Sequence, residues 1–264
     1  MIIGLYDSGL GGLSVWRELR KLNVKLIYFG DTAHVPYGEK TPDQLVSYFW
    51  EIQDFLQSRG CEGIVIACNT ASALVLPEVH SQVTLPVLGI IEAAVEGCLG
   101  MSKGRLGVLA TPATVASGVY QRAFSEAKPQ LQVFMQSAPQ LAPLVEQGKA
   151  TAPETREIVA HYLAPLGKQN IDTLLLACTH YPFLRPLIEE LMGPKVQIVD
   201  PAPILVQKVG GLLGGKLYEF DHHESETEFW VSAHPEQFQA VAESLLQEQI
   251  SPVGLHQLLG EKLS

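Results

Sequence analysis

Basic residues are scarce in this 264-residue chain: 18 Lys and Arg stand against 28 Asp and Glu, for a formal charge of −10. No run of Lys or Arg compensates locally, so the electrostatic footprint of a nucleic-acid-binding protein is missing. Long uninterrupted apolar stretches are missing too. The most hydrophobic long window, 83–101, contains Glu92 and Glu96 and does not read as a membrane span. The first ten residues lack the basic segment and long apolar core of a signal peptide, so a cytoplasmic protein is expected. Cysteine is sparse and unpaired in pattern. The four cysteines, Cys61, Cys68, Cys98 and Cys178, form no C-x-x-C and have no His at zinc-ligand spacing, which excludes a disulfide framework and argues against a structural metal. The Gly-rich stretch DSGLGG is neither a G-x-G-x-x-G nor a P-loop, because no Gly-Lys-Ser/Thr follows.

Apolar residues make up 47% of the chain and charged residues 17%, the composition of a folded globular protein. Short β-rich runs at 2–6, 26–29, 63–67, 87–90, 106–110, 132–136, 173–177, 196–199 and 229–232 alternate with helical segments such as 42–59, 115–127, 152–164 and 183–191. Continuous apolar strands separated by helices predict an α/β fold with mostly parallel sheets covered on both faces. In such sheets ligands sit beyond the carboxyl ends of the strands. The residues just past those ends are Asp7 and Ser8; Gly30, Asp31 and Thr32; Cys68, Asn69 and Thr70; Thr111 and Thr114; Cys178, Thr179 and His180; and Asp200. Groups capable of chemistry therefore collect at one edge.

The order of these groups repeats. GLYDSGLGGLSV precedes IVIACNTASA, and LGVLATPATVASGVY precedes LLLACTHYP, with spacings of 61 residues from Asp7 to Cys68 and 67 from Thr111 to Cys178. Two similar doubly wound α/β lobes follow from this, with the site in the cleft between them. The repeat alone does not say on which lobe the tail packs. The break falls in the glycine-containing stretch 92–105, and 228–246 reads as one more strand and helix.

Two strand-end cysteines in facing lobes could present two thiols to opposite sides of one bound molecule. Thr, Asn or His neighbours and helix N-termini are expected to lower a thiol's pKa toward neutrality. One sulfur as base and one as acid is the minimum apparatus for inverting a carbon stereocentre. Other readings exist. A single cysteine at the end of a buried strand is more often a small apolar residue. Cys178 with His180 as base would suit a hydrolase or transferase. A redox pair would be unusual at 110 residues of separation without a C-x-x-C. The backbone N–H groups of DSGLGG could hold a carboxylate, or the glycines could serve a tight strand-to-helix turn. In DTAHVPYGEKT, Pro36 and Gly38 shape a loop that would project Tyr37 into the cleft. DHH, 221–223, reads as a solvated loop rather than a metal site.

Seven stretches, YDSGLGGLSV, DTAHVPYGEKT, IVIACNTASA, ATPATVASGVY, APLVEQG, LLLACTHYPFL and VDPAP, occur in an order that resembles the glutamate racemase family from residue 2 to about residue 203. Aspartate and hydantoin racemases are its wider relatives. The resemblance implies a two-lobed α/β enzyme that interconverts L- and D-glutamate without a cofactor or metal, supplies D-glutamate for peptidoglycan, and forms a homodimer. It implies that the tail returns to the first lobe, giving 1–94 plus 205–264 for the first lobe and 95–204 for the second. It implies Cys68 and Cys178 as the acid/base pair, Cys68 acting on D-glutamate and Cys178 on L-glutamate. Asp7 and His180 assist them, with Asp31 and Glu146 as further acidic positions. Ser8, Tyr37, Gly38, Asn69, Thr70, Thr111, Thr114 and Thr179 match substrate-binding positions. No nucleic acid or membrane is implied as a partner. The first motif begins at residue 2, which implies independence from a peptidoglycan-precursor activator. Ala177 stands where the family often has Gly, and Ala93 and Ala94 where it often has Pro-Gly. The alternatives carried are an aspartate or other amino-acid racemase, and a catalytically silent protein that binds an anionic amino acid.

Overall fold

The computed structural model describes residues 1–212 and 226–259; the DHH stretch lies outside the described residues. Among the described residues ten strands form two sheets: β1 (Ile2–Asp7), β2 (Lys25–Gly30), β3 (Gly63–Ile66), β4 (Val87–Gly89), β5 (Arg105–Ala110), β6 (Gln132–Ser137), β7 (Thr173–Ala177), β8 (Gln197–Val199), β9 (Thr227–Val231) and β10 (Val253–Leu255). The first sheet has the order β10-β9-β2-β1-β3-β4 and the second β6-β5-β7-β8. Every pairing is parallel. Four strands of each lobe thus share one order, second-first-third-fourth. The first lobe adds β9 and β10 beyond β2.

The alternation of side chains explains how each sheet is covered. Ile3, Leu5, Leu26, Tyr28 and Val65 face one core with Leu13, Trp16 and Leu19 of the helix Leu13–Leu19. Tyr6, Ile27, Phe29, Ile64 and Ile66 face the other, against Leu45, Phe49, Ile52 and Leu56 of the helix Pro42–Ser58. In the second sheet Leu109, Leu174 and Leu176 face one way, and Leu106, Val108 and Leu175 the other. Period-two alternation between two apolar faces is what a parallel sheet buried on both sides requires. The helix Pro42–Ser58 starts with a capping box between Thr41 and Gln44 and carries Pro42 at its first turn, where a missing N–H costs nothing.

Three expectations about elements change. The segment 115–127 is two helices, Pro112–Ser117 and Val119–Ala127, broken at Gly118, whose φ of +67° is the left-handed conformation glycine tolerates. The segment 183–191 begins two residues earlier as a 3₁₀ turn, Tyr181–Leu184, before the helix Arg185–Met192. The break expected near 92–105 is largely a helix, Ile91–Met101. Its Ala93 joins the first lobe's core, while Ala94 and Cys98 join the second's. Gly97 lets this helix approach the helix Ala202–Leu212, because a Cβ there would lie 2.3 Å from Ile204 Cδ1. No helix among the described residues is long and apolar enough to cross a membrane.

Candidate active site

In a sheet of order 2-1-3-4, the crevice opens where the order reverses, between the first and third strands. Both lobes place their chemistry there. Asp7 ends β1 and Ser8 follows it; Cys68 lies two residues past β3 and begins the helix Asn69–Leu74. In the second lobe Thr111 follows β5, and Cys178, Thr179 and His180 follow β7. The two cysteines thus occupy equivalent places in two copies of one topology. One cavity is lined by Ser8, Tyr37, Gly38, Cys68, Asn69 and Thr70 from the first lobe, and by Thr111, Cys178, Thr179 and His180 from the second. It leaves about 30 Å³ open to the centre of a water molecule. Both thiols are 5% exposed, so neither faces bulk water.

The surroundings of the two sulfurs differ. The Cys178 sulfur lies 3.5 Å from His180 Nδ1, and His180 Nε2 lies 2.6 Å from Glu146 Oε1. Burial alone would discharge the His180 ring; its hydrogen bonds to Cys178 and Glu146 outweigh that and hold its pKa well above the usual imidazole range. Cys68 has no imidazole. Its thiol donates to Ser8 Oγ across 3.8 Å, and burial followed by the charge of Asp7 pushes its pKa well up. The expected lowering by a helix N-terminus therefore does not hold for Cys68. Desolvation in a closed cleft outweighs the dipole of a helix only six residues long.

Asp7 is fully buried and accepts from the Gly9 N–H at 3.1 Å and the Thr179 hydroxyl at 3.1 Å. Burial raises its pKa to about 6 against the lowering from His180, Gly9 and Thr179. Asp31 stands behind the cavity rather than in it. Its carboxylate accepts from Tyr37 at 2.6 Å and Ser232 at 2.6 Å, with His34 Nδ1 at 2.8 Å. The Tyr6 hydroxyl donates to Tyr37 at 2.8 Å, so Asp31 sets where the phenol of Tyr37 points. Thr114 also stands outside the lining, within a hydroxyl triad: Thr70 lies 2.9 Å from Thr111 and 3.1 Å from Thr114.

The Gly-rich turn does hold a carboxylate, and it is the protein's own. The Leu10 N–H donates to Glu146 Oε1 at 2.7 Å. A Cβ at Gly9 would lie 2.2 Å from that oxygen, and one at Gly11 would lie 2.3 Å from Thr179 Oγ1 and 2.6 Å from His180 Nδ1. The glycines therefore let the first lobe's turn dock against the second lobe's Glu146, Thr179 and His180 without side chains intervening. Sequence reasoning found the Gly-rich turn but not its cross-lobe role, and it did not single out His34, Tyr120 or Ser232. Tyr120 closes a motif that was visible; nothing in its spacing announces that its hydroxyl reaches Asn69 in the other lobe.

Two α/β lobes of one strand order thus each bring a strand-end cysteine to the same cleft. The family model described as Asp/Glu/hydantoin racemase matches residues 17–209, and the chain belongs to that family. It is an enzyme of the amino-acid racemase class. Among its relatives, the glutamate racemase of Desulforudis audaxviator is 43% identical over 95% of this chain and 96% of the relative. That of Streptococcus pneumoniae is 39% identical over 94% and 96%. Among solved structures, a glutamate racemase of Bacillus anthracis superposes with a TM-score of 0.89 at 31% identity over 98% of each chain. The Francisella tularensis glutamate racemase in complex with D-glutamate gives 0.86 at 30% identity over 97% of each.

Proposed function

We propose that the protein is a cofactor-independent glutamate racemase working by a two-base, two-cysteine mechanism. The observation that carries this reading is the pair of buried sulfurs, one from each lobe, on a single cavity. Among the described residues the lining has no Lys or Arg; it offers hydroxyls, the Asn69 amide and the His180 imidazolium, with Glu39 as its one carboxylate. Carboxylates held by neutral donors and one cation keep their orientation without a fixed arginine clamp. Asp7, Glu146, Asp31 and Thr114 act from behind the lining.

The chemistry follows from the asymmetry of the two sulfurs. His180 carries the proton that the Cys178 thiol gives up, which leaves the sulfur able to take the Cα proton of L-glutamate. Cys68 holds its proton and delivers it to the opposite face, forming D-glutamate. The reverse reaction exchanges the roles. With no electron sink, the carbanion-like transition state depends on hydrogen bonds to the α-carboxylate beside two buried thiols. The reading extends to D-glutamate supply for peptidoglycan in the cytoplasm, to a homodimer, and to lobes bounded at residues 94 and 204.

The test is Cα exchange. The purified protein is incubated with L-glutamate in D₂O with EDTA and no added cofactor, while optical rotation and Cα deuteration are followed together. Loss of rotation with deuterium in the product is expected. No exchange with glutamate but exchange with aspartate would replace the substrate; no exchange with either would overturn the enzyme reading of these two cysteines.

A further inference from the structure

Tyr120 lies in the helix Val119–Ala127 of the second lobe, fully buried, with its ring in the core formed by Ala94, Cys98, Val108 and Ala177. Its hydroxyl leaves that core and donates to Asn69 Oδ1, 2.5 Å away in the first lobe. Asn69 is 2% exposed, lines the cavity beside Cys68, and its Nδ2 has no hydrogen-bond partner. Buried amide N–H groups without partners are rare and call for an explanation. We propose that Tyr120 is a positioning residue for the racemase reaction: it locks the Asn69 amide with Nδ2 free to donate to a carboxylate oxygen of the bound amino acid.

The physical argument concerns which way an amide can face. A carboxamide has one accepting and one donating end of nearly equal size. With Oδ1 toward Tyr120, the phenol proton has an acceptor and the N–H pair is offered to the ligand. With the amide turned over, Nδ2 would donate to the phenol oxygen. The phenol proton would then lack an acceptor among the described residues, and Oδ1 would meet the ligand carboxylate as a second acceptor. A buried hydroxyl without an acceptor is costly, so Tyr120 decides the orientation. Its high pKa, raised first by burial, keeps the phenol a donor at any working pH. Thr114, on the helix before the Gly118 break, and Tyr120, on the helix after it, reach Thr70 and Asn69 respectively. The second lobe thus sets two neighbouring side chains of the first, and the break at Gly118 allows both to be reached.

This rests on the cavity binding a carboxylate, and the experiment separates the two ideas by using a binding readout. Dissociation constants for L-glutamate and L-aspartate are measured by calorimetry for the wild type, Tyr120→Phe, Asn69→Ala and the double variant, with turnover followed in parallel. Tyr120→Phe keeps the ring and its packing. It is expected to weaken binding of the preferred amino acid about tenfold, the loss of one hydrogen bond to a charged group. KM should rise by a similar factor while kcat changes less than threefold. In the Asn69→Ala background, Tyr120→Phe is expected to add nothing. Unchanged affinity in Tyr120→Phe, or losses that multiply in the double variant, would overturn the proposal. If Tyr120→Phe fails to fold, Asn69→Asp keeps an acceptor for the phenol and replaces Nδ2 by oxygen. It should weaken binding more than Asn69→Ala does, and equal or better binding would overturn the assignment. Wild-type binding without turnover would instead refute the racemase reading and leave the proposal to be judged on the constants.

Discussion

Cys68 and Cys178 hold the same address in two lobes of the same strand order, yet they are not chemical equals. Cys178 has an imidazole at 3.5 Å, itself held by Glu146 at 2.6 Å, so its proton has somewhere to go. Cys68 has a hydroxyl at 3.8 Å, and its pKa is raised by burial and then by the charge of Asp7. Duplicated topology supplies the placement of the two thiols; unequal neighbours give them different surroundings. The difference comes from the residue that follows each cysteine and its neighbour. Asn69-Thr70 after Cys68 turn to Tyr120 and Thr111 of the other lobe, whereas Thr179-His180 after Cys178 turn back to Asp7 and to the sulfur.

The comparison breaks most sharply if either sulfur is removed. Cys68→Ala and Cys178→Ala are each expected to lower kcat by about 10³-fold or more in both directions, since each removes one of the two proton-transfer groups. Polarimetry with both enantiomers checks this, and full activity in either variant would end the two-base mechanism. His180→Asn tests the inequality itself. It should lower kcat by about 10²-fold in the direction in which Cys178 takes the proton, and less in the reverse. Enantiomers have equal free energy, so kcat/KM must fall by the same factor from either side, and the asymmetry must show as compensating changes in KM. Equal kcat losses would mean that His180 does not distinguish the two sulfurs.

The smallest effect expected is on stability. Asp7 titrates near 6 in the folded protein and near 4 when unfolded, so the folded state binds its proton more tightly. That stability is fully present below about pH 4 and is lost as pH rises through about 6, amounting to at most about 3 kcal/mol. In urea titrations the wild type minus Asp7→Asn difference should fall over that window and stay flat above pH 7. A rise over the same window would reverse the sign assigned to Asp7.

Much of the site was legible because parallel sheets put ligand groups past strand ends, and strand ends are marked by apolar runs that stop. Cys68, Asn69, Thr70, Thr111, Cys178, Thr179 and His180 were found that way, and all line the cavity. Asp31 looked like a member of the same set, but its carboxylate is occupied by Tyr37, Ser232 and His34. A strand-end position says that a residue is near the crevice edge; which partner takes its lone pairs depends on a loop some 200 residues further on. The break at Gly118 was hidden because the residues on either side keep helical composition. Strand β10 was hidden because three residues carry too little periodicity to read.

The sequence by itself determined the parallel α/β lobes, their repeated order of motifs and the pairing of two cysteines in matched contexts. Local patterns of apolar alternation and strand-end chemistry suffice for that. Only the tertiary structure decided that Glu146 accepts from the Gly-rich turn and from His180, that Gly9 and Gly11 make room for the other lobe, and that Tyr120 orients Asn69. Each of these joins residues that are distant in the chain, through contacts of 2.5 to 2.7 Å or close approaches that no spacing rule encodes. They depend on how two lobes meet, and that is set by the summed packing of both cores rather than by any one segment.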